Sequence, residues 1–178
     1  MSSGLPGEGR FVRWAHQRAY ESRLRPRLHA LESVVPYAGA TLVYLLLGLL
    51  ALRDETRRPA LRAMAAGVVA WISSDVLKEL FERQRPCLHP YSCGNHSFPE
   101  GPGMVLAALA VAIWPTSRGI AAVAAGCALA DAVVQLAYGN HWPSDLAGAW
   151  IIGSLLGFAV PHVADRLERI DRPGAREE

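Results

Sequence analysis

Two short polar segments of the chain carry side chains that are suited to phosphoryl transfer. The first segment contains Lys78 and Arg85, and the second contains His141 and Asp145. An imidazole can attack phosphorus and form a phospho-histidine, which water then hydrolyses. Fixed cations can hold the phosphate oxygens and offset their negative charge. The residue types therefore indicate a histidine-based phosphatase site, provided that the fold brings the two segments together.

Each of these residues has a specific role in this hypothesis. The planar guanidinium of Arg85 can hold two phosphate oxygens, whereas the ammonium of Lys78 acts as a point charge. Asp145 can bind one imidazole nitrogen of His141, which fixes the tautomer and raises the basicity of the other nitrogen. Lys78 and His141 also have simpler interpretations. Lys78 could be a cation at the membrane boundary, although Arg83 suits that role better. His141 could be a polar residue at the membrane surface.

The combination of Lys-x6-Arg-Pro with His-Trp-Pro-Ser-Asp resembles the motifs of the type-2 phosphatidic acid phosphatase superfamily, which includes membrane lipid phosphatases and vanadium haloperoxidases. The resemblance covers roughly residues 65–160. It implies a helical bundle with the site at one membrane face, in which Lys78 and Arg85 bind phosphate. His141 would be the nucleophile, oriented by Asp145. The mechanism requires no metal or cofactor, because cationic side chains stabilise the charge.

The middle motif of this family, Pro-Ser-Gly-His, is altered in this chain. The matching residues are Pro99, Glu100, Gly101 and Pro102. The resemblance places the retained Gly101 among the phosphate-binding residues. Glu100 replaces the phosphate-binding serine, and Pro102 replaces the histidine that acts as the acid. A buried Glu100 with a raised pKa could supply the proton, as could His96, whereas the simpler role of Glu100 is a carboxylate at a helix N-terminus.

The third motif of the family is also altered. Its Ser-Arg pair is replaced by Val134 and Gln135, so Gln135 stands at the position of a phosphate-binding arginine. Loss of a general acid costs about 10²–10⁴-fold in rate. Loss of one electrostatic contact in the transition state costs about 10²–10³-fold. A diphosphate substrate, which has a good leaving group, would be affected least.

Three functions are compatible with this pattern. The first is an integral membrane phosphatase that acts on a lipid or polyprenyl phosphate or diphosphate; it is favoured because His141 and Asp145 are retained with both cations. The second is a non-catalytic lipid-phosphate binder or scaffold, which the altered motifs favour. The third is a different reaction in which Glu100 and Gln135 act on another substrate. Substitution of His141 abolishes hydrolysis only if the first function is correct.

The composition indicates a membrane protein. Hydrophobic residues make up 51% of the 178 residues, and charged residues make up only 19%. The apolar residues form long runs, and a membrane-spanning helix needs about 20 residues. A soluble helical protein is the alternative, but it would not need so many apolar runs joined by short links. We therefore predict an all-α, polytopic membrane helical bundle of about five transmembrane helices, at residues 36–52, 63–80, 103–114, 119–138 and 146–163.

Five crossings would place both polar segments on one membrane face, together with the loop that contains residues 87–102. The opposite end would carry the basic loop 53–62 and a turn at Arg118. Positive charge in short loops marks the cytoplasmic side of a membrane. The N-terminal segment makes the other side basic too, but the charge of the short loops slightly favours a multi-pass protein of the cell membrane with its candidate site on the extracytoplasmic face.

Polar segments flank the predicted membrane-embedded domain of residues 34–164. Residues 1–33 mix arginines with aromatic and aliphatic residues, which predicts an amphipathic interfacial helix; a solvated basic tail is the alternative. Residues 165–178 form a polar tail. The expected partners are membrane lipids and a lipid or isoprenoid phosphate substrate. The net charge of only +2 gives no reason to expect nucleic acid as a partner.

Cysteines and histidines occur together in the loop on the candidate-site face. Cys87 and Cys93 could form a disulfide in an oxidising compartment. Alternatively, these two cysteines could bind zinc together with His89 and His96, since thiolate and imidazole are its usual ligands. The spacing matches no strong zinc motif, and we assign no metal to the chain.

Small residues within the predicted spans indicate where helices pack closely. Cys127 lies in a predicted helix and is expected to be a small, buried hydrophobic residue. Gly153 and Gly157 form a Gly-x-x-x-Gly pattern, which allows two helix backbones to approach each other closely. Such packing occurs within one chain or between chains, so the sequence leaves the oligomeric state open.

Overall fold

The computed structural model describes residues 4–22, 27–88 and 96–170, and the regular structure in these ranges is entirely helical. Six helices follow one another within the described ranges. They are α1 (Glu8–Glu21), α2 (Leu28–Leu50), α3 (Asp54–Phe81), α4 (Gly101–Ile113), α5 (Arg118–Tyr138) and α6 (Pro143–Ile170).

Four of these helices are long and apolar enough to cross a membrane: Ala30–Leu50 within α2, and the whole of α3, α5 and α6. They confirm the predicted all-α, polytopic membrane bundle. The fifth predicted span corresponds to α4, whose 13 residues fall short of the about 20 that a bilayer requires. α4 packs against α3, α5 and α6. It is therefore an inner helix, surrounded mainly by the four long helices.

The core of the bundle forms around α4. Its large side chains Met104, Leu106 and Leu109 are fully buried. α6 approaches the backbone of α4 very closely, because a Cβ atom placed on Gly153 or Gly157 would overlap carbonyl groups of α4. The Gly-x-x-x-Gly pattern predicted from the sequence therefore packs two helices of the same chain.

The prediction of a loop at residues 53–62 is wrong, because α3 already begins at Asp54. Acidic residues in the first turn of α3 suit the positive end of its helix dipole. Arg62 forms an ion pair with Glu168 (2.8 Å), and α6 continues beyond its predicted end to Ile170. The polar ends of α3 and α6 thus stabilise each other, although the apolar runs alone predicted a loop at residues 53–62 and a tail from residue 165.

The N-terminal segment contains the predicted amphipathic helix, α1. It packs against α5 and buries Val12, while aromatic side chains on its other face are exposed. His16 Nδ1 forms a hydrogen bond with the carbonyl oxygen of Ala137 at 3.0 Å. α2 starts at Leu28, earlier than the predicted residue 36. α1 therefore lies against the bundle at the end of α5; its contact with the membrane surface remains a prediction.

Candidate active site

Three segments of the chain meet at one end of the bundle. The first is the end of α3 with residues 82–88, the second is residues 97–101 before α4, and the third is residues 135–145 between α5 and α6. The backbone N–H of Ser97 donates to the carbonyl of Arg83 at 2.7 Å. This arrangement brings Lys78, Arg85, His141 and Asp145 to the same end of the molecule.

His141 lies in the short link between α5 and α6, and Asp145 lies in the first turn of α6. Gly139 ends α5 in a left-handed conformation (φ 75°), which lets the chain turn back toward the bundle. His141 Nδ1 is 3.6 Å from Asp145 Oδ2, so the two groups interact electrostatically without a short hydrogen bond. Both side chains are buried. Asp145 Oδ2 also accepts a hydrogen bond from the backbone of Trp142 (2.9 Å).

The imidazole of His141 is held in its neutral form. Burial lowers its pKa below the ordinary value, because an imidazolium would lose its hydration. The hydrogen-bonding influence of Asp145 raises the pKa, and the charge of Arg85 lowers it further. A backbone hydrogen bond with Ser97 makes a smaller, raising contribution. The neutral imidazole is the form that can act as a nucleophile.

Arg83 contacts Asp145 directly, so its expected role as a boundary cation is wrong. Arg83 Nη1 donates to Asp145 Oδ1 at 2.6 Å and to Ser144 Oγ at 2.7 Å. Its other terminal nitrogen, Nη2, donates to Glu8 Oε2 at 3.0 Å. The Arg83 and Glu8 side chains are largely buried in this contact. No local pattern in the sequence indicates this contact, because the two residues are separated by 75 positions.

Glu8 connects α1 to the same site. Its Oε1 atom accepts a hydrogen bond from the backbone of Ser144 (2.7 Å), and its Oε2 atom accepts one from Leu5 (2.6 Å). Burial raises the pKa of this carboxyl, but these hydrogen bonds and the charge of Arg83 outweigh burial, so that the pKa lies below the ordinary value. Glu8 is therefore an ionised carboxylate that holds α1 on the link carrying His141.

Arg85 is oriented by an amide network. Arg85 Nη1 donates to Asn140 Oδ1 at 2.5 Å. Asn140 Nδ2 in turn donates to Gln135 Oε1 (3.0 Å) and to Glu32 Oε1 (3.2 Å). Gln135 is buried and its Nε2 donates to Asp131 Oδ1 at 3.4 Å. Gln135, predicted to bind phosphate, thus uses both ends of its amide within this network.

Lys78 and Gly101 are neighbours. A Cβ atom on Gly101 would lie 3.4 Å from Lys78 Nζ and 3.1 Å from Ser74 Oγ. Ser74 lies one helical turn before Lys78 on α3, and its buried hydroxyl has no hydrogen-bond partner among the described residues. Lys78 Nζ is also 3.7 Å from Asp75 Oδ1. The absence of a side chain at Gly101 therefore leaves two donors facing the same small space.

Glu100 is fully buried at the start of α4. Its Oε2 atom accepts a hydrogen bond from the backbone of Gly103 (2.6 Å), which caps the helix. Its backbone N–H donates to the carbonyl of Asp145 at 3.5 Å. Burial and the charge of Asp131 raise the pKa of Glu100 well above its ordinary value, whereas the hydrogen bond from Gly103 and the charge of Lys78 act in the opposite direction. Glu100 thus caps α4 and also lies among the residues of the candidate site.

The described residues contain no group of three or more His, Cys, Asp or Glu side chains that could hold a metal ion. The zinc hypothesis and the disulfide hypothesis both involve residues outside the described ranges, namely His89 and Cys93. Cys87 is exposed on the site face, and His96 is partly buried. Cys127 is partly buried and packs against the core.

No family model matches the sequence, and no curated protein matches it. A solved structure does match: a transmembrane PAP2-type phosphatidylglycerolphosphate phosphatase from Bacillus subtilis, with a TM-score of 0.67 and 19% sequence identity. The match covers 91% of this chain and 86% of the other one. The chain therefore shares the fold of a PAP2-type membrane protein, as the resemblance of its motifs predicted.

Proposed function

We propose that this protein is an integral membrane phosphatase that hydrolyses a lipid or polyprenyl phosphate or diphosphate through a phospho-histidine on His141. The observation that carries the proposal is the geometry around His141. A buried, neutral imidazole faces the carboxylate of Asp145, which Arg83 holds in place. Two further cations, Lys78 and Arg85, lie at the same end of a bundle that has the PAP2-type fold.

The residues can divide the reaction between them. Asp145 faces Nδ1 of His141, so the nitrogen that attacks phosphorus is Nε2. As the P–N bond forms, the bond between phosphorus and the leaving oxygen breaks, and the leaving group departs with the bonding electron pair. The ring becomes positively charged, and the Asp145 carboxylate stabilises that charge. Arg85 and Lys78 bind the phosphate oxygens on which negative charge develops. In the second step, water attacks phosphorus, the P–N bond breaks, and neutral His141 and inorganic phosphate are released.

The position of the site favours a substrate with a hydrocarbon chain. His141 and Arg85 lie where the spanning helices end, so a head group can reach them while its chain stays in the bilayer. The structurally similar protein is described as a phosphatidylglycerolphosphate phosphatase, which makes phosphatidylglycerol phosphate one substrate to test. The opposite end of the bundle carries Arg53, Arg57, Arg58 and Arg62. By the positive-inside rule, this charge supports an extracytoplasmic site.

A specific observation supports the non-catalytic alternative, a lipid-phosphate binder or scaffold. Gln135 stands at the position of a phosphate-binding arginine, and its amide is occupied by Asp131 and Asn140. Pro102, at the position of the acid histidine, lies in the first turn of α4 and has no group that can donate a proton. A binder needs the remaining cations but not the acid.

Release of phosphate by the purified protein in detergent tests the proposal. The substrates are phosphatidic acid, phosphatidylglycerol phosphate, a polyprenyl phosphate and a polyprenyl diphosphate. His141→Ala should abolish release from every substrate that the wild type hydrolyses. His162→Ala is a matched control, since His162 is an exposed residue of α6 that bonds within its own helix. Release that persists in His141→Ala would contradict the phospho-histidine mechanism.

A folded wild-type protein that releases no phosphate would favour the binder instead. In that case, binding to vesicles that contain phosphatidic acid should depend on Lys78 and Arg85 but not on His141. Activity that survives loss of His141 and disappears in Glu100→Gln would favour the third function, a different reaction built on Glu100.

A further inference from the structure

Asp131 is a buried acid that the proposed mechanism does not yet use. It lies on α5 with its side chain fully buried. Its Oδ1 atom accepts a hydrogen bond from Gln135 (3.4 Å). The other oxygen, Oδ2, has no hydrogen-bond donor among the described residues, and the same is true of Glu100 Oε1. Two fully buried carboxyl groups on different helices thus each leave one oxygen without a donor.

The two carboxyl groups are hydrogen-bonding neighbours. The side chain of Glu100 interacts with that of Asp131 both through its charge and as a hydrogen-bond partner. Two ionised carboxylates in contact and out of water repel each other strongly. A single proton between them removes one charge and supplies the missing donor to both oxygens. One shared proton is therefore the state that satisfies the geometry.

This pair lies beside the groups that act on phosphate. The backbone of Glu100 is bonded to that of Asp145, and Lys78 acts electrostatically on the Glu100 carboxyl. Arg85 acts on both His141 and Glu100. Glu100 is thus bonded to the residue that faces His141 and lies within electrostatic range of both cations.

Two buried donors near Glu100 point to a ligand at this place. The hydroxyl of Ser74, which is 1% exposed, has no partner among the described residues and faces Gly101 beside Lys78. Trp150 Nε1 is likewise without a partner and lies 3.3 Å from the point where Gly103 would carry a Cβ atom, next to Glu100 Oε2. Unused buried donors on either side of the Glu100 backbone turn, at Gly101 and at Gly103, are expected where an oxygen-rich group binds.

We propose that Glu100 and Asp131 share one proton and that Glu100 delivers this proton to the leaving group of the phosphoryl transfer. The inference rests on the proposed phosphatase function and supplies the acid that the sequence lacks at Pro102. Glu100 is the catalytic residue of the pair. Asp131 is a positioning residue, because it acts through Glu100 and keeps it protonated.

The step is balanced in atoms and charge. Nε2 of His141 attacks phosphorus, and the bond between phosphorus and the leaving oxygen breaks. The leaving oxygen takes the bonding electron pair and the proton of Glu100, so the alcohol departs neutral and the pair is left with two negative charges. Water then gives a proton back to the pair as it attacks the phospho-histidine. The products are inorganic phosphate, neutral His141 and a pair that again holds one proton.

The proposal is tested by comparing two kinds of leaving group. An alkyl lipid phosphate needs a proton on its departing oxygen, whereas p-nitrophenyl phosphate loses a stabilised phenolate and does not. Glu100→Gln should lower hydrolysis of the alkyl ester by about 10²–10⁴-fold and change hydrolysis of the aryl ester little. Asp131→Asn should show the same selectivity with a smaller loss. Glu79→Gln, which removes an exposed carboxyl from α3, should behave as the wild type with both esters.

Infrared spectroscopy provides a readout that does not depend on turnover. A protonated carboxyl group has a C=O stretching band that an ionised carboxylate lacks. At neutral pH, the spectrum of the full-length protein should contain such a band, and the band should be lost in Glu100→Gln and in Asp131→Asn. A wild-type spectrum without the band would overturn the shared proton.

The outcomes separate this inference from the proposed function. If Glu100→Gln lowers hydrolysis of both esters equally, or of neither, while His141→Ala abolishes it, the phosphatase stands and the acid role of the pair is overturned. If the wild type hydrolyses no ester, both the phosphatase function and the acid role of Glu100 are overturned, even if the infrared band is present. Selective loss with the alkyl ester, together with loss of the band, supports the pair.

Discussion

Arg83 holds the carboxylate of Asp145 in place, with Arg83 Nη1 at 2.6 Å from Asp145 Oδ1. The second oxygen of the same carboxylate, Oδ2, is then directed to His141 and to the backbone of Trp142. A histidine that must attack phosphorus needs a fixed ring orientation. In the proposed reaction, Arg83 therefore acts through Asp145 and not as one of the phosphate-binding cations.

Substitution of Arg83 should lower turnover more than substrate binding. In Arg83→Gln, the Asp145 carboxylate loses its charged partner and can rotate away from His141, so we expect kcat to fall about 10–100-fold, as when other orienting partners are lost. KM should change little, because Arg83 does not bind the phosphate. The measurement is steady-state hydrolysis of the best lipid substrate. Arg58→Gln is the control, because it breaks an exposed ion pair at the opposite end. An increase in KM with unchanged kcat in Arg83→Gln would contradict the orienting role.

Substitution of Glu8 should detach α1 from the site. Glu8→Gln removes the charge that pairs with Arg83 and weakens the hydrogen bond from Ser144. Hydrogen bonds to charged groups contribute about 1.5–3 kcal/mol each, but glutamine keeps one neutral acceptor at this position, so a loss near the lower end is expected. The measurement is thermal unfolding in detergent, with limited proteolysis after the arginines of α1. Glu21→Gln, an exposed change on the same helix, should leave both unchanged, and equal effects of the two variants would argue against the contact.

The acidic limb of the pH–rate profile should depend on His141. Attack requires the neutral imidazole, and burial lowers the pKa of His141 below its ordinary value. The neutral form therefore persists to lower pH than it does for free histidine, and the rate falls as pH drops through this lowered pKa. The groups that face the ring are Asp145 and Arg85, which act in opposite directions. Loss of Asp145 in Asp145→Asn should move the acidic limb to still lower pH.

The alkaline limb should depend on Glu100. The proton of Glu100 must be present for an alkyl ester, and burial together with Asp131 raises its pKa well above the ordinary value. The rate therefore falls as pH rises through this raised pKa; Lys78 and the backbone of Gly103 limit how far it rises. The residual activity of Glu100→Gln should lack this limb. Because the substrate titrates identically with both proteins, an unchanged alkaline limb in the variant would exclude Glu100 as the acid.

The sequence predicted the membrane helices well and their ends less well. Uninterrupted apolar runs identify α2, α3, α5 and α6, because a helix satisfies the backbone hydrogen bonds of a single apolar segment within that segment. The same runs predicted a loop where α3 begins at Asp54. Hydropathy does not detect a polar helix end that is stabilised by ion pairs, such as that of Arg62 with Glu168.

The candidate site was predictable where its residues are close in sequence. His141 and Asp145 are only four positions apart in the sequence, and motif spacing identifies them. The contacts of Arg83 with Glu8 and of Glu100 with Asp131 join different helices. Only the packing of the bundle brings such residues together, so no local pattern in the sequence could indicate them. In the sequence, Asp131 is a single charged residue in an apolar helix. Such a residue indicates function in a membrane protein, but the sequence does not indicate that Glu100 is its partner.

Substitution of Gly153 should disturb the packing of α4, which carries Glu100 at its start. In Gly153→Ala, the new methyl group would overlap the carbonyl of Met104, so one helix must move. Overpacking of this kind costs about 1–3 kcal/mol, and the displacement should also lower lipid hydrolysis. Gly126→Ala on α5 is a matched control, because nothing lies within 4 Å of the added methyl group. Alanine should even stabilise α5 by about 0.5–1 kcal/mol through its better helix propensity. Thermal unfolding of both variants in detergent gives the comparison, and a Gly153→Ala protein as stable as the wild type would show that α4 and α6 are not in the close contact described.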